Sequence, residues 1–224
     1  MPTRVLNWLR RLERRPYGES NPTNRERFTR VFETRRWATG ESVSGPGSDH
    51  GSGSVDHASR LLHRFIPELG IRSLADIPCG DFHWMGEVLL QHPDLDYVGY
   101  DIVEPLIARN WRMHPGRSFV VLDIVTEVPP PADLILCKDL VNHLYEKDVR
   151  AALRNMVASG STWLLITSNA GYENLELEML APGASRELDL TAPPYDLPPP
   201  VYGDHYLSLW RLEDVGRALD RARR

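Results

Sequence analysis

The sequence predicts an α/β protein, a doubly wound and mostly parallel sheet carrying an N-terminal helical extension. Two observations lead there. From Ile71 onward, short runs rich in Val, Ile and Leu alternate with stretches of helical periodicity, the pattern of strands joined by crossover helices. The composition agrees: 224 residues, 42% hydrophobic and 25% charged, with 16 Gly, 18 Pro and 2 Cys, is ordinary globular usage. It excludes collagen, coiled coil and wholesale disorder, and the length suits one domain with an appendage.

Taken in order, residues 3–15 and 24–37 have helical spacing and flank the breaker-rich run PYGESNPTN at 16–24, so two N-terminal helices are expected. The Gly/Ser-rich stretch 38–54 reads as a loop. Val55, Ala58, Leu61, Leu62, Phe65, Ile66 and Leu69 then mark one face of a helix that Gly70 stops. The expected division is therefore 1–54, N-terminal helices and a lid, and 55–224, the main domain. Strands are expected at 73–77, 96–101, 118–124, 132–137 and 161–167, with helices near 83–91, 104–113 and 147–159 between them. Six prolines break the rhythm over 168–204, which reads as a long excursion. A strand at 205–210 follows, then a terminal helix with Leu212, Val215 and Leu219 inward.

Residues 1–36 hold ten Arg against four Glu, a net +6, which leaves −11 on the rest of a chain of net −5. Interspersed acids make this arm a solvated helical face rather than a nucleic-acid surface, so a nucleic-acid partner is disfavoured. Two distant cysteines, no signal-peptide pattern and no apolar run approaching 18 residues predict a reducing cytoplasm and no membrane partner. His50 and His57, with Asp49 and Asp56, sit inside a Gly/Ser loop without metal-ligand spacing, and no metal is expected.

Ligands of open α/β sheets bind beyond the carboxyl ends of the strands, where strand order reverses. Four successive strand ends here carry acids: Asp76-Ile77-Pro78-Cys79-Gly80-Asp81, Asp101, Asp123, and Lys138-Asp139. An Asp at a strand end also serves as a turn or cap residue; it is the co-occurrence that points to a ligand. Gly80 lets a ligand approach backbone N–H groups at a helix start. Asp101, 25 residues after Asp76, can accept hydrogen bonds from a ribose diol. Asp123 can bind an adenine amino group while Ile124 packs on the ring. A nucleoside cofactor fits.

The strings SLADIPCGDFHWM, YVGYDIVEPLI, VVLDI and ADLILCKDLVNHL, with GESVSGPGS before them and YLSLW after, resemble a bacterial family of class I S-adenosylmethionine-dependent methyltransferases with a DxPCGDFxWM motif. The likeness covers roughly residues 37–213. It implies a Rossmann-like, seven-stranded sheet and S-adenosyl-L-methionine as cofactor. It also implies that Asp76 and Gly80 line the methionine portion, with Pro78, Cys79, Asp81, Trp84, Ile102 and Lys138 nearby, Asp101 at the ribose and Asp123 with Ile124 at the adenine. Trp37 and Ser44 would close over the cofactor. The usual three alternating glycines are reduced to Gly80, with Pro78 and Phe82 in the other two places. Pro78 offers no N–H to a pyrophosphate, which counts against a nicotinamide cofactor.

For methyl transfer the acceptor must be held in line and, when protonated, relieved of a proton. His143 and Asp139, four apart, are the candidate catalytic pair, with Asn142, Asn169, Tyr202 and His205 expected at the substrate. The acceptor expected is a small molecule methylated on nitrogen or oxygen, with carbon a third option; a homodimer is compatible with the sequence. Two alternatives stay open, methylation of a peptide or protein side chain and a non-catalytic cofactor-binding scaffold.

Overall fold

The computed structural model describes residues 22–175 and 183–221. The helix expected at 3–15 lies outside the described residues. The first element is α1 (Asn24–Glu33), opened by a capping box in which Thr23 and Glu26 satisfy each other's backbone N–H. A short 3-10 turn (Pro46–Ser48) precedes α2 (Gly53–Glu68), whose Ser52 hydroxyl accepts from the Val55 N–H. Gly70 terminates α2 at φ +64°, and the Ile71 N–H returns to the Ile66 carbonyl in a Schellman-type stop.

Then come β1 (Ser73–Asp76), α3 (Met85–Gln91), β2 (Asp96–Asp101), α4 (Glu104–Met113), β3 (Ser118–Val121) and β4 (Leu134–Cys137). A 3-10 turn (Val141–His143) leads into α5 (Glu146–Ala158) and β5 (Trp163–Thr167). The chain ends with β6 (Tyr202–Gly203), β7 (Leu207–Arg211) and α6 (Leu212–Arg221). The seven strands form one sheet in the order β3-β2-β1-β4-β5-β7-β6. β1 to β5 are parallel, while β7 runs antiparallel to β5 and β6 to β7. The mostly parallel sheet read from the sequence pattern is therefore present, with the seven strands that the resemblance implies. The seventh strand was not legible, because β6 is two residues long and sits among prolines.

Alternation along the buried strands divides the core between the two sheet faces. In β4, Leu134 and Leu136 pack with Leu62, Met85 and Phe119 on the α2/α3 side. Ile135 and Cys137 pack with Leu153, Met156 and Val215 on the α5/α6 side. Among the described residues no helix is long and apolar enough to cross a membrane.

Register aligns the strand ends that matter. Asp76 lies beside Gly99 of β2 and Leu136 of β4, so Asp101 and Lys138 each extend two residues beyond it at the same sheet edge. Gly99 permits this close packing. A Cβ there would stand 2.8 Å from the Tyr97 hydroxyl and 2.9 Å from both Cys79 Cβ and Phe119 Cδ1. Gly99→Ala is expected to cost about 1–3 kcal/mol of overpacking, seen as a melting temperature lower by roughly 3–10 °C in calorimetry. An unchanged melting temperature would contradict this packing.

Candidate active site

At the reversal of strand order, β1 has β2 on one side and β4 on the other, and the connections leave to opposite faces. A cavity of about 380 Å³ opens there beyond the carboxyl ends of the strands. β1 and its loop contribute Asp76, Pro78, Cys79, Gly80 and Trp84 to its wall. β2 contributes Asp101 and Ile102, and the segment after β4 contributes Lys138, Asp139, Asn142 and His143. Trp37 and Ser44 to Ser48 cover it from the N-terminal side. A smaller crevice of about 30 Å³ shares Pro78, Asp101 and Ile102 with the cavity and reaches Asp123 and Ile124.

Two buried acids dominate the floor. Asp76 is 3% exposed and accepts one hydrogen bond, 2.9 Å from the Tyr97 hydroxyl. Burial pushes its carboxyl up to about 7, against the pull of that bond and of Lys138. Asp101 accepts from the Gly80 N–H at 3.2 Å and the Val103 N–H at 2.9 Å, one on each oxygen. Burial takes it up to about 6 despite those bonds. Such carboxylates are stabilised by a cation or by hydroxyl donors brought to them. The Gly80 N–H is thus committed to Asp101, and α3 begins only at Met85. This corrects the expectation that Gly80 opens a helix.

Gly80 is needed for another reason. Its φ is +54°, and a Cβ would stand 2.5 Å from the Ser44 hydroxyl oxygen. That contact belongs to a latch between the 42–44 segment and the loop after β1. The Asp81 carboxylate accepts from the Ser42 hydroxyl at 3.0 Å and the Val43 N–H at 2.8 Å, while the Asp81 N–H donates to Ser44 Oγ at 2.8 Å. Asp81, expected at the cofactor, does not line the cavity; its side chain is turned to this latch.

Lys138, 6% exposed, donates to the Gly47 carbonyl at 2.8 Å and to Asp139 at 2.6 Å, and its ammonium lies 5.9 Å from the Trp84 ring centre. Asp139 also accepts from the Tyr206 hydroxyl at 2.8 Å. Its own N–H donates to Thr167 Oγ1 at 2.8 Å from a left-handed backbone, φ +56°. Asp139 therefore does not share a helical face with His143, because the 3-10 turn starts two residues later. Its carboxylate is held by two donors, which leaves His143 as the available base.

His143 Nδ1 lies 2.8 Å from the Ala184 carbonyl, which can only accept, so Nδ1 carries the proton and Nε2 the lone pair. Burial lowers its pKa, Ala184 and Asp139 pull it back up, and Arg27 lowers it further. Neutral imidazole is the resting form. Trp37 packs 4.6 Å from the His143 ring and donates to the Gly183 carbonyl at 3.0 Å. Consecutive carbonyls of the excursion thus fix the Trp37 and His143 rings.

Asn169, Tyr202 and His205, expected at the substrate, do not line the cavity. Asn169 braces the excursion, accepting from the Leu188 N–H and donating to the His205 carbonyl. Tyr202 donates to Asp204 and packs 5.4 Å from Phe65, and His205 is exposed. Conversely, Phe28, Val31 and Phe32 of α1 line the cavity and were not singled out from the sequence. Their signal was present as an apolar i, i+3, i+4 face on a helix read as an appendage.

No protein-family model matches the chain and no curated protein matches it. Among solved structures it is similar to the methyltransferase domain of bacterial CtHen1, with 12% identity and a TM-score of 0.46 over 51% of this chain and 67% of that one. It is also similar to magnesium protoporphyrin IX methyltransferase from Synechocystis with bound S-adenosylhomocysteine, at 14% identity and a TM-score of 0.44 over 70% of this chain and 64% of that one. A third is the sugar N-methyltransferase KedS8 from a Streptoalloteichus species, at 18% identity and a TM-score of 0.44 over 72% of this chain and 61% of that one. The chain thus spans under two thirds of the latter two structures. At this level the likeness extends to the fold at most, and the functional reading rests on the cavity.

The raised Asp76 value has a sign that can be checked. The folded value of about 7 lies above the ordinary 3.8, so ionisation weakens the ligand-free fold. The stability that the protonated carboxyl contributes is fully present below about pH 4 and is lost as the pH rises through about 7. Asp76→Asn is expected to melt several degrees higher than the parent at about pH 8, at roughly 2–4 °C per kcal/mol, and to differ little at about pH 4. Calorimetry at both values would reject the assignment if the variant melted lower at the higher pH.

Proposed function

We propose that the protein is an S-adenosylmethionine-dependent methyltransferase that methylates nitrogen or oxygen, with carbon the third option, of a small molecule. One observation carries the reading: a single cavity joins two desolvated carboxylates, a buried ammonium and a side crevice ending in Asp123 and Ile124. The cofactor is cationic at sulfur and at its amino group and anionic at its carboxylate. The residues fit it. Asp76 and Asp101 are buried acids with hydrogen-bonding capacity to spare, Lys138 offers the opposite charge, and Ile102 and Ile124 offer apolar surface beside Asp123. Cys79, Pro78 and Trp84 line the same wall, and residues 22–54, with Trp37 and Ser44, act as a lid over it.

Bound there, the cofactor supplies a methyl carbon on a sulfonium, open to displacement. The chain's task is to hold the acceptor in line, exclude water and take a proton where the acceptor carries one. His143 Nε2 is the atom suited to that proton, since Nδ1 is occupied and the ring is neutral. Asp139, tied to Lys138 and Tyr206, orients the strand-end segment and the lid carbonyl of Gly47 rather than moving a proton. Asn142 lines the cavity, and its buried Oδ1 has no partner.

S-Adenosylhomocysteine is expected to raise the melting temperature, by the equivalent of about 2.7 kcal/mol at a hundredfold excess over its Kd, with no effect of NAD at the same concentration. A shift with NAD alone would overturn the reading. Asp101→Ala is expected to weaken S-adenosylhomocysteine about tenfold or more in calorimetric titration. His143→Gln is expected to leave that affinity intact and lower kcat about 10²–10⁴-fold on an acceptor that must lose a proton.

A further inference from the structure

The cavity has a second wall, and its chemistry narrows the acceptor. α1 and the residues after it present Phe28, Val31, Phe32 and Trp37 to the cavity. Phe28 and Trp37 lie 6.0 Å apart between ring centres and Trp37 and His143 4.6 Å apart, so three rings form a continuous row that ends at the base. The four carboxylate and ammonium side chains of the lining, Asp76, Asp101, Lys138 and Asp139, all stand at strand ends, and Lys138 and Asp139 pair with each other. The ring row contributes no opposite charge for an anionic or cationic acceptor.

Behind His143 sits a further charge. Arg27 is 6% exposed and donates to the His143 carbonyl at 3.1 Å and to Asn24 Oδ1 at 2.9 Å, while its Nε has no partner. It forms no ion pair among the described residues, and Asp148 is reached only through the Asn24 amide. A buried guanidinium beside the base disfavours a cation at the reacting position and favours negative charge developing on an acceptor atom.

Resting on the methyltransferase reading, we propose that the acceptor is an uncharged, planar compound bearing an acidic hydroxyl, a phenol or enol, seated on the Phe28–Trp37–His143 row with the hydroxyl at His143 Nε2. Flat rings suit the aromatic row, which offers area without charge. A hydroxyl with a pKa of about 10, as in tyrosine, is within reach of a weakly basic imidazole, whereas an aliphatic alcohol is far less acidic. In the reaction the hydroxyl proton passes to Nε2 and an oxygen lone pair forms the C–O bond to the methyl carbon. The C–S bond breaks with its pair left on sulfur as a neutral thioether, and the imidazolium returns its proton to solvent.

Three probes of one shape test this by calorimetric titration into the protein saturated with S-adenosylhomocysteine: 2-naphthol, 2-naphthoate and 2-naphthylmethylammonium. The expected result is that 2-naphthol binds and both charged probes bind at least about tenfold more weakly. Phe28→Ala, which removes one ring of the row, is expected to weaken 2-naphthol several-fold, with an unchanged circular-dichroism spectrum as the check on folding. If S-adenosylhomocysteine binds but either charged probe matches or exceeds 2-naphthol, or none binds, the acceptor assignment falls alone. If S-adenosylhomocysteine itself does not bind the parent protein, the methyltransferase reading falls and this inference with it.

Discussion

The reversal of strand order between β1 and β4 is the constraint on which the rest depends. Parallel strands need crossover connections, and at this point those connections depart to opposite faces of the sheet. The two strand ends are therefore left without a helix packed over them. Everything assigned to the site is a response to that gap: acids at the exposed strand ends, a loop after β1 turned by Gly80, and an N-terminal segment folded back across the opening.

Charge is distributed unevenly over the gap. Lys138, Asp139 and Tyr206 satisfy one another and tie β4 to the lid and to the last strands. Asp76 and Asp101 are buried with few donors, so the ligand-free protein holds carboxylates that its own packing disfavours. Groups left less than fully compensated in this way lower stability, a common cost at functional sites. Arg27, behind His143, is a buried guanidinium without an ion pair among the described residues, set 4.8 Å from the centre of the Tyr145 ring.

Much of this was legible in the chain. β2 and α4 fall on their expected residues, and the other expected strands and helices within the described residues differ only at their ends, because periodic apolar patterns identify elements better than boundaries. The strand-end acids were legible because chemistry at the ends of parallel strands has a fixed place. Asp81 turned away from the cavity because a carboxylate five residues beyond the end of β1 can face the cavity or the loop, and only the position of Ser42 decides. Asn169, Tyr202 and His205 were misplaced for a related reason. The proline-rich excursion gives no period from which a direction can be read, and these side chains are tied to the excursion and to the turn before β7.

By itself the sequence determined the sheet, its two apolar faces and the acids at its edge, because these follow from local periodicity and from the alternation of side chains along a strand. The tertiary structure alone decided which carboxylates stay without partners and which nitrogen of His143 keeps its lone pair. It also decided that Phe28, Phe32 and Trp37, on what reads as an appendage, wall the same cavity as residues far along the chain. These are consequences of contacts such as Trp37 with Gly183 and His143 with Ala184. Contacts of that separation form only once the sheet has brought its loops together, and no spacing along the sequence encodes them.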